Sequence, residues 1–142
     1  MVSFGLQFEY LYHDVDVLEL RITVENARFR GCVDKHVGRG DLVKAASVLK
    51  GFPKNPNDAR EVILAEGTVR LAFYCKDLAG HPAMRATLKE DSHRFRTSDF
   101  RRIDSPEGAI VYLDFEPAAL DEFLKQLVHL QQRLSGTASL TI

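Results

Sequence analysis

The sequence predicts an α+β fold: a curved antiparallel sheet, or two packed sheets, covered by a C-terminal amphipathic helix, with one further short helix at an edge. Three observations predict it. Segments with period-two alternation of apolar and polar residues come in runs and are not strictly interleaved with helical segments, which argues for antiparallel pairing. The strongest helical signal is at the end of the chain, from Pro117 to Leu134, where Leu120, Phe123, Leu124, Leu127, Leu130 and Leu134 recur at steps of three and four. Its other face carries Asp121, Glu122, Lys125 and Gln131, so the helix needs an apolar surface to cover, and only the upstream strands supply one.

In chain order, Phe4, Leu6, Phe8 and Tyr10 alternate with polar or small residues, the pattern of a half-buried strand. His13-Asp14-Val15-Asp16 breaks the pattern with side chains that fold back on their own backbone. Leu18, Leu20, Ile22 and Val24 alternate next, and after a short link at Asn26-Ala27 so do Phe29, Gly31 and Val33, ending near Val37. These three segments predict a meander. Gly38-Arg39-Gly40 resets the backbone, and Leu42, Ala45, Ala46 and Leu49 predict a helix over Asp41–Lys50, closed by Gly51-Phe52-Pro53.

Residues 54–58 are a loop. Glu61 to Ala65 predicts a strand whose run Val62-Ile63-Leu64, apolar without alternation, suggests burial on both faces, and Glu66-Gly67-Thr68 predicts a tight turn. Val69, Leu71, Phe73 and Cys75 then pair as a hairpin with Met84, Ala86 and Leu88 across Asp77-Leu78-Ala79-Gly80. The stretch 89–108 yields only an edge strand near His93 to Arg96 and a turn at Ser105-Pro106-Glu107-Gly108. Ala109 to Phe115 is an apolar strand running into the helix, with Pro117 suited to the first helical position and Gly136 to a left-handed C-terminal cap. Thr137 to Ile142 alternates once more as a last, exposed strand. The predicted core is Leu18, Leu20, Ile22, Val24, Phe29, Leu71, Phe73, Leu113, Phe115, Leu120, Phe123, Leu124 and Leu127.

At 142 residues the chain reads as a single domain over 1–142, long enough to bury roughly two-thirds of its unfolded surface. A net charge of −1 argues against nucleic acid and anionic lipid as partners. Residues 1–7 show neither a basic nor a continuous apolar region, and no stretch approaches the ~18 apolar residues that span a bilayer. The expected compartment is therefore the cytoplasm, with no membrane partner, and Cys32 and Cys75 are expected to be reduced, buried and apolar in behaviour.

Chemistry is sparsely signalled. Cys32, His36, Cys75 and His81 are zinc-ligand types, but four residues along a strand separate side chains by roughly 13 Å, so no metal is assigned. His13, Asp14 and Asp16 could bind a cation or relay a proton, but a turn between strands calls for the same residues and is the favoured reading. No nucleophile, P-loop or dinucleotide signature is present, so no cofactor is expected and a non-catalytic protein is favoured over an enzyme. Arg94, Arg96, Arg101 and Arg102 interleave with Phe95 and Phe100, and this basic stretch opposes an N-terminal region where Glu9, Asp14, Asp16, Glu19 and Glu25 face only Arg21. Those four arginines are the candidate binding residues for a protein partner.

The order of segments resembles an uncharacterised family of small bacterial single-domain proteins. The resemblance is carried by Asp16 to Arg21, Leu42 to Leu49 with Gly51-Phe52-Pro53, Val69 to Cys75 with the Asp77 to His81 turn, and Val111 to Leu127. The layout is also similar to that of some immunity proteins that neutralise bacterial polymorphic toxins. Their Asp-Ala-Asn-Trp-like motif is not reproduced by Val33-Asp34-Lys35-His36-Val37, and the chain has no tryptophan. The resemblance implies a protein-binding module whose partner is a toxin domain; a homodimer stays open. The alternative is a small-molecule site or an enzyme whose groups converge around His13, His36 and His81.

Overall fold

A computed structural model describes residues 4–90, 94–95, 102–103 and 107–142. The alternating segments become β1 (Phe4–His13), β2 (Val17–Glu25), β3 (Arg30–Gly38), β4 (Arg60–Leu64), β5 (Val69–Cys75), β6 (Pro82–Lys89), β7 (Arg94–Phe95), β8 (Arg102–Ile103), β9 (Gly108–Asp114) and β10 (Thr137–Thr141). The helices are α1 (Asp41–Leu49) and α2 (Pro117–Arg133). Eight of the strands form two antiparallel sheets, ordered β10-β1-β2-β3 and β4-β5-β6-β9, here called A and B; β7 and β8 pair only with each other. This is the predicted α+β fold in its two-sheet form.

The sheets do not close into one barrel. Edge strand β3 lies against edge strand β9 with no ladder between them, while α1 lies along β4, α2 lies against α1, and α2 also runs along β10. The two helices thus fill the gap between the far edges. Where the sheets meet, a Cβ built on Gly31 would come 3.1 Å from the Cβ of Ala109 and 3.2 Å from Leu88 Cδ1, so a side chain there would push these neighbours back by a few tenths of an ångström and glycine eases the close approach of β3.

One continuous core draws on both sheets and both helices. Phe8 meets Phe123 of α2 edge-to-face at 5.8 Å, and Phe73 meets Phe115 at 5.9 Å and Phe52 at 6.0 Å, an arrangement that suits the ring quadrupoles.

Side chains staple the helices to the sheets. Arg60 at the start of β4 donates to the carbonyls of Val48 and Lys50, satisfying the open end of α1, while its Nη2 meets Asp58 at 2.8 Å. The α2 glutamines supply two further links: Gln131 Oε1 accepts the Val43 N–H at the start of α1, and Gln126 Oε1 accepts the Ser139 N–H on β10.

Several expectations are corrected. Phe29 is 66% exposed and is not a core residue: Asn26 Oδ1 accepts the N–H groups of Arg28 and Phe29, folding 26–29 into a turn beyond the end of the inner face. The other predicted core residues are buried. Ile63 is exposed between buried Val62 and Leu64, so β4 alternates and buries one face. Cys32 is exposed, because the alternation that turns Gly31 and Val33 inward turns it out, and Cys75 is half-buried at the end of β5; both are free thiols. Leu134 takes the left-handed cap position of α2 (φ 52°) and donates to the Leu130 carbonyl, ahead of Gly136. β10 is not simply exposed, since Ala138 and Leu140 lie fully in the core. Gln131, expected in solvent, is half-buried through its bond to Val43. The turn after β4 begins at Ala65, and both Ala65 and Glu66 have positive φ. Within the expected edge strand, Arg94 and Phe95 form β7, while His93 and Arg96 lie outside the described residues.

Candidate functional site

The outer faces of the two sheets differ in kind. On sheet A, the polar residues that alternation sends outward pair with one another across the strands. Gln7 donates to Ser139, Thr23 to Cys32, and Arg21 binds Asp34 through two bonds of 2.9 and 3.1 Å; His36 Nε2 lies 2.8 Å from Glu19, and Arg30 lies 3.5 Å from Glu25. The Arg21 guanidinium holds the Asp34 carboxyl below the usual carboxylate range. Of the N-terminal acidic residues read from the sequence, Glu19 and Glu25 are met by His36 and Arg30 of β3, which sit directly opposite them on β2.

Sheet B presents something else. Register places Ile63, Arg70, Thr87 and Ile110 in one outer row and Glu61, Ala72, Arg85 and Tyr112 in the next. Ile63, Ile110 and Tyr112 are each more than half exposed. Arg70 meets Glu61 at 3.5 Å, whereas Arg85 has no ion pair among the described residues. Asn26 Nδ2 donates to the Tyr112 carbonyl, which ties the turn bearing exposed Phe29 to β9. Exposed tyrosine, branched aliphatics and arginine are residue types enriched where proteins bind one another. With Arg70, Lys76, Arg85 and Lys89 against Glu61 and Asp114, the face carries a basic excess.

The β6–β9 pair that carries this face also carries the basic stretch. The ladder runs to Lys89 and Gly108, and Glu90 N–H donates to the Glu107 carbonyl one step beyond. β7 and β8 follow as a two-residue ladder pairing Arg94 with Ile103 and Phe95 with Arg102. Arg96 and Arg101 lie outside the described residues.

The histidines are not brought together. His13 stands opposite inward-facing Leu18 with its Nδ1 2.8 Å from the Tyr10 hydroxyl, His36 stands opposite outward-facing Glu19, and His81 is in the β5–β6 turn of the other sheet. His13 and His36 thus sit at one end of sheet A but on opposite faces. Asp14 acts as a turn former: its carboxylate accepts the Val17 and Asp16 N–H groups, which hold its carboxyl below the usual range.

Near the start of α2 a recess of about 320 Å³ is lined by residues that include Lys76, His81, Asp114 and Glu116. Asp77 Oδ2 lies 2.6 Å from His81 Nδ1, which holds the Asp77 carboxyl low, and Lys76 meets Asp114 at 2.7 Å. An aspartate can orient an imidazole for proton transfer, but both members of this pair are open to solvent, which screens them. Cys32 and His36 lie on sheet A and Cys75 and His81 at a turn of sheet B, and among the described residues no three His, Cys, Asp or Glu side chains gather as a metal site. Nor is any described helix long and apolar enough to cross a membrane.

No family model, curated protein or solved structure matches the chain. The functional reading therefore rests on the surface itself. Sequence reasoning missed Ile110 and Tyr112 as surface residues, although the unbroken apolar run Ala109–Leu113 was a signal: on a strand with one buried face, half of such a run must point outward.

Proposed function

We propose that the protein is a non-catalytic binding module for an acidic protein partner, engaged through the outer face of sheet B and the basic Arg94–Arg102 stretch. A bacterial toxin domain is the partner that the layout suggests. The observation that supports the reading is the contrast between the sheets. The outer face of sheet A is crossed by the Arg21–Asp34, His36–Glu19 and Arg30–Glu25 pairs and exposes Tyr12 at one end. Sheet B exposes Ile63 on one edge strand, Ile110 and Tyr112 on the other, and beside Tyr112 an Arg85 with no ion pair among the described residues. Such a face costs solubility unless a partner covers it, and arginine and tyrosine supply much of the binding energy where one does.

The test is capture from the native cell with wild type and two variants, followed by titration of the captured protein. Tyr112→Ala should weaken binding at all salt concentrations. Arg85→Glu should weaken it more at low salt than at high, because exposed charge acts mainly on encounter. For the toxin reading, co-expression of the partner should be tolerated with wild type and toxic with Tyr112→Ala. Capture unaffected by either variant, or a melting temperature that rises with a metabolite or metal ion while no macromolecule binds, refutes the proposal.

A further inference from the structure

A second surface lies on the helical side of the molecule and shares no residue with the face of sheet B. Between α1 and α2 runs an open cleft of about 450 Å³, lined by Val43, Ala46, Ser47 and Lys50 from one helix and its C-cap and by Asp121, Leu124, Lys125 and Val128 from the other. Both sets follow the spacing i, i+3, i+4, i+7, so each helix contributes one complete stripe of its surface. These stripes adjoin the buried ones, Leu42, Ala45, Ala46 and Leu49 on α1 and Leu120, Phe123, Leu124, Leu127 and Leu130 on α2. The Gln131–Val43 hydrogen bond ties the two helices together before any ligand arrives.

The floor, Val43, Ala46, Leu124 and Val128, is apolar, and the rim is polar. Lys50 and Lys125 have no ion-pair partner among the described residues, and Asp121 is the one carboxylate lining the cleft. Two such stripes side by side can seat another helix, and with two lysines against one aspartate at the rim the surplus positive charge favours an acidic one. We infer that this cleft is a docking groove for an acidic amphipathic helix of a partner protein. Four residues on each side line it, spanning eight positions, about 10 Å at 1.5 Å per residue, so it grips about two turns of the guest through two or three apolar anchors. Affinity for an isolated helix should therefore be modest, with Kd on the order of 10 μM.

The probe is a fluorescein-labelled synthetic helix of about 15 residues with leucines at i, i+3, i+4 and i+7 flanked by glutamates, alongside a counterpart with lysine in place of each glutamate. Fluorescence anisotropy with the full chain should show saturable binding of the acidic peptide and at least about tenfold weaker binding of the basic one. The double variant Lys50→Glu/Lys125→Glu should weaken the acidic peptide about tenfold and bring the two peptides level. Because both lysines are on the rim, the melting temperature should not move; Val128→Glu, on the floor, should abolish binding of either peptide. Binding that ignores the double variant, or no saturation by about 1 mM peptide, overturns the inference. So does a concentration-dependent dimer in sedimentation that the double variant dissolves, which would assign the groove to a second copy of this chain. A melting temperature raised by laurate and not by the acidic peptide would assign it to a free anionic amphiphile and overturn it equally. Tyr112→Ala should leave peptide binding unchanged, so failure at the groove does not bear on the face of sheet B.

Discussion

Truncating two neighbouring leucines of α2 should cost different amounts, and the difference tests the packing described above. Leu127 is 1% exposed and Leu124 8%, and Leu124 also lines the open cleft between the helices. Leu→Ala removes three carbons, which at about 0.8 kcal/mol per buried carbon gives a transfer loss of roughly 2.4 kcal/mol at either site. At Leu127 the space left behind is enclosed by the core, so a cavity term adds to this and the total should fall in the upper part of the ~2.7–5 kcal/mol range seen for buried leucines. At Leu124 the truncation widens a groove that solvent already reaches, so the loss should stay near about 2–2.5 kcal/mol. Urea denaturation followed by circular dichroism and tyrosine fluorescence reads both values, provided the m-value does not change between variants. Against a total stability of about 5–15 kcal/mol, both losses are readily measured. Equal losses, or a larger loss at Leu124, would refute the placement of the groove; a loss below about 1 kcal/mol at Leu127 would refute the assignment of the helix face.

Four further outcomes follow from the staples and turns. Gln131→Ala leaves the Val43 N–H without its acceptor and should cost about 1 kcal/mol, with faster amide exchange at Val43 and little change at Ser139, whose acceptor is Gln126. Arg60 lowers the Asp58 carboxyl below its ordinary range, helped by the Lys54 N–H. A carboxyl with a depressed folded-state pKa contributes stability above its unfolded pKa of about 3.9 and loses it as pH falls through the folded value, so Asp58→Asn should be destabilising at pH 7 and increasingly neutral in acid; an equal deficit at pH 7 and pH 2.5 would contradict this. Arg60→Lys should not restore wild-type stability, because one ammonium cannot reach two carbonyls and a carboxylate in fixed geometry. Glu66 is exposed with φ 56° and ψ 35°, a region asparagine tolerates better, so Glu66→Asn should raise stability by roughly 0.5 kcal/mol; a lowered urea midpoint would count against the turn geometry.

The sequence by itself determined what depends on near neighbours along the chain. Alternation in 18–24 and 69–75 and the three-and-four spacing in 117–133 specify which side of each element is apolar, because side-chain direction repeats every 2 residues in a strand and every 3.6 in a helix. That local rule was enough for the meander, for both helices and for every predicted core position except Phe29, where the Asn26 side chain bends the chain before the strand begins. Tertiary structure alone decided what the outward sides do. Nothing within β2 shows that its acidic residues will face Arg30 and His36, and nothing within β9 shows that Ile110 and Tyr112 will be left uncovered, because each outcome depends on which strand becomes the neighbour. The same holds for Gln131, a solvent residue by its position on the helix until α1 offers it the Val43 amide, and for the cleft, which exists only because two stripes from residues some eighty positions apart lie side by side. Periodicity fixes direction within an element. Partners across space are set by how the elements close on one core, and that closure is where the candidate surfaces of this protein arise.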